Sequence, residues 1–290
     1  MLFLPLKDNL RNLRFPLVTI LLIAINFAVF AWELGKSDSS NSNPQLEQLG
    51  VTARDQAEVQ YGAIPYRITH PGKQCAVGTK LGAFGQKDAE IVCEGTADYA
   101  KAQALGSRGL PFVTLDSPPW WETIFSSMFL HAGWLHILGN MLFLWIFGNN
   151  VEGAMGRLKF LLFYLLAGVA AAYAQTFLNV GDTGPTLGAS GAIAGVLGGY
   201  ILLYPRARVL TFVFLVFFVT LVEVPALIIL GIWFILQALP AVGQVATPDV
   251  AGNAGVAYLA HVGGFLFGLL LIKAFADRKR VEAAKPPVWA

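Results

Sequence analysis

The stretch "LGASGAIAGVLGGY", Leu187 to Tyr200, is apolar and crowded with small residues, and it carries one serine close to its start. Gly191, Gly195 and Gly199 stand four apart and so share one line of a helix, the spacing that lets two membrane helices approach backbone to backbone. A second line, Gly264 and Gly268, stands in "AHVGGFLFGLLL". Two readings of Ser190 compete. It is a small packing residue, or the backbone has been cleared around it so that its hydroxyl can react below a membrane surface. The rest of the chain decides.

Of the 290 residues, 56% are hydrophobic and 13% charged, where soluble domains carry about 25% charge. With a mean hydropathy of +0.59, the composition is that of an integral membrane protein. The net charge of +2 says little about partners, and no basic patch interleaved with aromatics points to nucleic acid. The apolar part of the N-terminus, Phe15 to Trp32, is longer than the usual 7–15-residue signal core. No small-x-small cleavage site follows it, so it reads as a retained first span.

Stretches able to cross a bilayer, which takes roughly 17–25 residues, fall near 15–33, 132–151, 158–178, 187–204, 223–240 and 256–276. Val209 to Val222 is also apolar but has only 14 residues, and is expected to lie at the interface or re-enter. Lys and Arg precede the first span, stand between the second and third and between the fourth and fifth, and end the chain, while 179–186 and 241–255 contain none. Six spans with both termini cytoplasmic satisfy this pattern, and seven would put the basic tail on the wrong side. The expected division is a first helix at 1–34, a large exterior loop at 35–130, a six-helix core completed by 131–277, and a basic tail at 278–290 that acts as a topology signal. The loop's eight Lys and Arg do not oppose this, because long loops translocate largely regardless of charge. It offers a possible small subdomain, with no independent hydrophobic core evident. Cys75 and Cys93 both fall in it. An even count in an oxidising compartment suggests a disulfide, two unpaired thiols being the alternative, and two cysteines alone make no metal site.

Three of the four histidines, His131, His136 and His261, fall within or at the edge of spans, where ionisable groups are costly and are functional candidates by default. His136 and Asn140, four apart, share a helix face near the outer end of the second span. His261 is about five residues into the sixth span, roughly 7–8 Å below the outer boundary, and Ser190 enters the fourth at similar depth. The glycine lines would bring these two spans together. A serine hydroxyl needs a base, and histidine is the usual one. A carboxylate to orient the imidazole is not evident: no Asp lies in a span, Glu152 and Glu223 fall at cytoplasmic ends, and Asp182 and Asp249 lie in outer loops. The reading is a Ser190–His261 dyad, with the Ser190 N–H, His136 and Asn140 as oxyanion donors.

With "GASG" at Gly188–Gly191, "AHVGG" at Ala260–Gly264 and "HAGWLHILGN" at His131–Asn140, in order and on appropriate spans, the chain resembles the rhomboid intramembrane serine proteases. "VEGAMGR" after the second span is also similar to that family. The resemblance implies an all-α, six-helix bundle in which Ser190 attacks a peptide bond of a substrate's transmembrane segment and His261 acts as base and then acid. Gly188 shapes the loop beside the oxyanion site, Gly191 packs behind it, and His131 has a more structural role. It further implies lateral entry gated by the fifth helix and the cap loop at 241–255, with membrane proteins and the bilayer as partners and neither metal nor cofactor. A bacterial plasma membrane, with the site opening outward, is the expected location. Two departures stand out. Where many members have an aromatic residue four positions after the serine, this chain has Ala194, and the Trp-Arg pair common in the first exterior loop is absent, leaving Trp120, Trp121 and Arg108 as stand-ins. The alternatives are an inactive rhomboid-like protein that binds or chaperones membrane helices, and a small transporter. The transporter predicts polar residues spread through the membrane or inverted repeats, whereas these histidines cluster at one depth.

Overall fold

The computed structural model describes residues 2–37, 41–82, 86–215, 218–246 and 256–285. Strand β1 (Leu2–Asp8) leads into helix α1 (Leu17–Ser37). The start of α1 is capped from a distance: the Glu152 carboxylate accepts from the Val18 N–H at 3.1 Å and from the Thr19 N–H and hydroxyl at 2.8 Å each. A carboxylate at that end satisfies orphan amides and complements the helix dipole.

The region expected as an exterior loop folds into α2 (Pro44–Gln48), α3 (Ala53–Tyr61), α4 (Pro65–Thr69), β2 (Cys75–Leu81), β3 (Lys87–Cys93), α5 (Ala97–Gly106), β4 (Phe112–Thr114) and α6 (Trp120–Ser126). The three strands form an antiparallel sheet in the order β3-β2-β4. The expectation that this region lacks a core is corrected: Leu46, Val59, Ile64, Tyr66, Val77 and Leu115 bury their side chains together around the two cysteines. Cys75 and Cys93 pair across the β2–β3 ladder and are joined by a disulfide. Closing a loop of that size contributes about 3 kcal/mol in the chain-entropy model.

After an 85° bend at residues 130–133 comes one continuous helical run, Trp134–Met155. It consists of α7 (Trp134–Phe143), a wider π-type turn at Leu144–Gly148, and α8 (Asn149–Met155). Then follow α9 (Arg157–Leu178) and α10 (Ser190–Leu203), strands β5 (Arg208–Leu215) and β6 (Phe218–Pro225), and α11 (Ala226–Ala246), α12 (Tyr258–Phe275) and α13 (Arg278–Ala284). Each of the six stretches expected to span contains a helix. Among the described residues, α1, α9, α11 and α12 are long and apolar enough to cross alone, and the bent pair formed by α6 and the Trp134–Met155 run makes a fifth. Helix α10 has only 14 residues, about 21 Å against a hydrocarbon layer of about 30 Å.

The segment Val209–Val222, expected to lie at the interface or re-enter, is built of strands. Strands β5 and β6 pair antiparallel, and β1 covers the other edge of β5, giving a second three-stranded sheet in the order β1-β5-β6. The mostly helical protein thus carries two small sheets beside its bundle. Its sequence favours this outcome, since Val, Phe and Thr suit a pleated surface. The fifth helix accordingly starts at Ala226, three residues later than expected, and continues past Pro240.

The core of the bundle is the contact of α10 with α12 and α9. An added Cβ at Gly264 would run into the Gly191 carbonyl, and one at Gly268 into the Gly195 carbonyl. At both crossings the backbones touch, which only glycine permits. The glycine lines read from the sequence face each other here.

Candidate active site

Ser190 is the first residue of α10, and its Oγ lies 2.8 Å from Nε2 of His261 on the first turn of α12. Both are half-buried. Their proximity follows from the glycine contacts directly below, Gly191 against Ala260 and Gly264 against Gly191. His261 is held from its other side: Nδ1 lies 2.8 Å from Oε1 of Gln237 on α11. With the amide oxygen facing the ring, Nδ1 carries the proton, and Nε2 is left to accept from the serine hydroxyl.

Gln237 was not singled out in the sequence. Its only signal was a polar residue within the apolar run "GIWFILQALPAVG". The same helix supplies Trp233, whose ring centroid is 6.0 Å from that of His261, with Tyr258 at 6.3 Å. Ala194 is fully buried in the α10–α12 contact. The aromatic neighbour absent from position 194 therefore reaches the histidine from α11 and from the start of α12.

Gly188, just before Ser190, has φ +114°, a conformation that L side chains rarely adopt. Its N–H donates to the Ser127 carbonyl at 2.8 Å. A Cβ there would sit 2.7 Å from Cε1 and Nε2 of His136 and 3.6 Å from Nδ2 of Asn140. The bare backbone is what lets both α7 side chains stand beside the serine. Nδ2 of Asn140 is buried and has no hydrogen-bond partner among the described residues. The amide hydrogens of the first turn of α10 likewise have no acceptor within the helix. Ser190, His261, Gln237, His136 and Asn140 line one cavity of about 560 Å³, with Trp233 on its wall.

His131 is fully buried beside this cluster, its ring 5.0 Å from that of His136. Its backbone is clamped: the N–H donates to the Glu33 carboxylate at 3.2 Å, and the carbonyl accepts from Arg54 at 2.6 Å. Glu33, fully buried near the end of α1, is a carboxylate within the first span that serves the His131 backbone rather than the His261 ring. Asp182 accepts from the Gly184 N–H and Asn179, and burial pushes its carboxyl above the usual range; it makes no bond to His261. Asp249 and residues 247–255 of the cap loop lie outside the described residues. Two arginines of the 35–130 region donate to backbone carbonyls, Arg54 to that of His131 and Arg67 to that of Pro118 at 2.7 Å. Trp120 packs on the Ala63–Ile124–Met128 cluster.

A half-buried serine paired with an imidazole, beside unpaired donors at the head of a short membrane helix, defines a candidate hydrolytic site in an integral membrane protein. The Rhomboid domain model matches residues 118–278, more than half of the chain, and the protein belongs to the rhomboid family. Its relatives include "Rhomboid protein 1, mitochondrial" of Saccharomyces cerevisiae, 32% identical over 152 residues, which are 51% of this chain and 40% of that protein. The human "Presenilin-associated rhomboid-like protein, mitochondrial" is 32% identical over 146 residues, 49% of this chain and 35% of that one. "Rhomboid protease GluP" of Bacillus subtilis is 39% identical over 82 residues, 28% of this chain and 15% of that one. The matched part thus spans two fifths or less of each of these relatives.

Proposed function

We propose that this protein is an intramembrane serine endopeptidase that hydrolyses peptide bonds in or near transmembrane segments of other membrane proteins. The observation that carries the proposal is the 2.8 Å contact between Ser190 Oγ and His261 Nε2. His261 takes the hydroxyl proton as Ser190 Oγ bonds to the scissile carbonyl carbon. The developing oxyanion is received by the Ser190 N–H, Asn140 Nδ2 and His136. The imidazolium then gives its proton to the leaving amine as the C–N bond breaks. Water entering the cavity repeats the sequence on the acyl-enzyme and releases the acid. Gln237 holds the ring in the required tautomer and faces the positive charge that forms on it, so the proposed dyad has a neutral orienting partner. Each lost oxyanion donor costs about 10²–10³ in rate.

The proposed topology has six crossings, with both termini cytoplasmic and the site opening on the other side of a plasma membrane. The lysine and arginine distribution supports this, as does the Cys75–Cys93 disulfide, a bond that persists in oxidising compartments. Helix α11 presents Leu227, Ile228, Ile232, Ile235, Leu236 and Leu239 outward, which suits it to part from α12 and admit a substrate helix.

The test is cleavage of a single-span substrate by the purified protein in liposomes, against Ser190→Ala. Loss of cleavage with that one hydroxyl is expected. Cleavage surviving in the variant, or a folded wild type that binds several substrate helices and cuts none, would instead establish a non-catalytic helix-binding protein.

A further inference from the structure

The end of the bundle away from Ser190 holds a second cavity, of about 550 Å³, where the start of α1, the α8–α9 turn and α13 meet. Arg14, Arg157, Lys159 and Arg280 line it, and no acidic residue does. Among the described residues the first three make no ion pair, and the nearest carboxylate to Arg280 is that of Asp277 at 3.9 Å. The nearby Glu152 is committed to the amides and hydroxyl at the start of α1. Four cations thus converge on one recess, and among the described residues only Arg280 has a carboxylate within ion-pair reach, Asp277 at 3.9 Å.

The recess is also built to take an anion. Gly156 has φ +85° and turns the chain into α9, a 22-residue helix whose first amides have no side-chain cap. The Arg280 guanidinium lies over that turn, where a Cβ on residue 156 would meet its Nη1 at 2.7 Å. Uncapped amides at a helix start with guanidinium forks beside them suit a phosphate group. The rim is apolar: Phe15 is 65% and Leu158 81% exposed, at the ends of helices that continue into the membrane. Cations in the recess with bare apolar side chains at its lip match a headgroup joined to acyl chains better than a free ion.

We infer that this pocket binds the phosphate headgroup of an anionic membrane lipid. The inference is independent of the chemistry of Ser190. The bound lipid ties α1, the α8–α9 turn and α13 together at the base of the bundle. It also assigns Arg157 and Arg280 a ligand beyond their part in setting topology.

The test is thermal unfolding of the purified full chain in a neutral detergent, titrated with phosphatidylglycerol, phosphatidylcholine or inorganic phosphate. Phosphatidylglycerol should raise Tm saturably, and the other two should not. Arg157→Gln with Arg280→Gln should weaken its apparent affinity roughly 30-fold, at about one surface-charge contribution per arginine. An equal rise with phosphatidylcholine, or full affinity in the double variant, would overturn the site, and an equal rise with inorganic phosphate would make it a site for soluble anions. If the double variant does not fold, photoactivatable phosphatidylglycerol on the wild type decides. Crosslinks concentrated at residues 14–15, 155–159 and 280 support the pocket, and crosslinks spread evenly around the bundle refute it.

Discussion

Replacing Gln237 by leucine keeps the bulk of the side chain and removes the oxygen that faces His261 Nδ1 at 2.8 Å. In the resting site this costs one hydrogen bond between neutral groups. In the proposed mechanism the ring becomes an imidazolium as Ser190 attacks, and the same contact becomes a hydrogen bond to a charged group, worth about 1.5–3 kcal/mol. Because that gain is realised only in the transition state, it appears in kcat. At about 1.4 kcal/mol per tenfold, Gln237→Leu should lower kcat by roughly 10–150-fold while leaving KM nearly unchanged. Gln237→Glu, which keeps an acceptor at the same reach, should recover most of the loss. The assay is cleavage of a fluorogenic transmembrane peptide in liposomes, with kcat and KM determined separately and folding followed by thermal unfolding. An unchanged kcat in the leucine variant, or a loss confined to KM, would show that Gln237 does not position the histidine.

Three further outcomes are expected. Asn140→Ala should reduce kcat by about 10²–10³ with little change in Tm, because Nδ2 has no partner to lose in the resting protein; a drop in Tm without a loss of rate would make it a packing residue. Gly268→Ala drives a methyl group into the Gly195 carbonyl, so overpacking of about 1–3 kcal/mol should lower Tm and activity together, whereas Gly231→Ala, with nothing within 4 Å, should do neither; equal behaviour of the two would refute the close-contact account. Asp8 accepts from Tyr200 and Asn150 at 2.6 Å each, and burial raises its carboxyl from 3.8 to about 6. The folded protein therefore keeps a proton there that the unfolded chain releases, and this contribution, complete below pH 3.8, is lost as pH rises through about 6. Asp8→Asn should flatten that part of the Tm-against-pH curve, and an unchanged slope would show that Asp8 does not carry it.

The parts of this architecture legible in the sequence are those where one residue type has one physical reason to be present. Glycines four apart in two apolar runs foretold the α10–α12 contact, and histidines and an asparagine in lipid-facing sequence foretold the polar cluster. Where an element depended on distant partners, the sequence was silent. Arg208–Pro225 is apolar on both faces, so its strands show no alternation, and its pairing with β1 joins residues some 200 positions apart. The core of the 35–130 region draws Leu46, Ile64, Val77 and Leu115 from four separate stretches of the chain, none apolar enough to announce it. Gln237 looked like one polar residue on an apolar helix, and only the packing of α11 on α12 gives it a partner. Glu33 was hidden for a related reason, because its partner is a backbone amide.

The shortness of α10 has an electrical consequence. In the proposed orientation, a helix of about 21 Å that begins beneath the surface lets water reach Ser190, and a protein that wets part of the bilayer on one side must hold its insulation in what remains. Here that remainder is the lower part of α10, where Gly195 meets Gly268 of α12 without a gap and where buried Tyr200 packs against Phe147 on one side and Tyr204 on the other. On that reading, the same backbone contact that brings serine to histidine also closes the bundle below the cavity that feeds them.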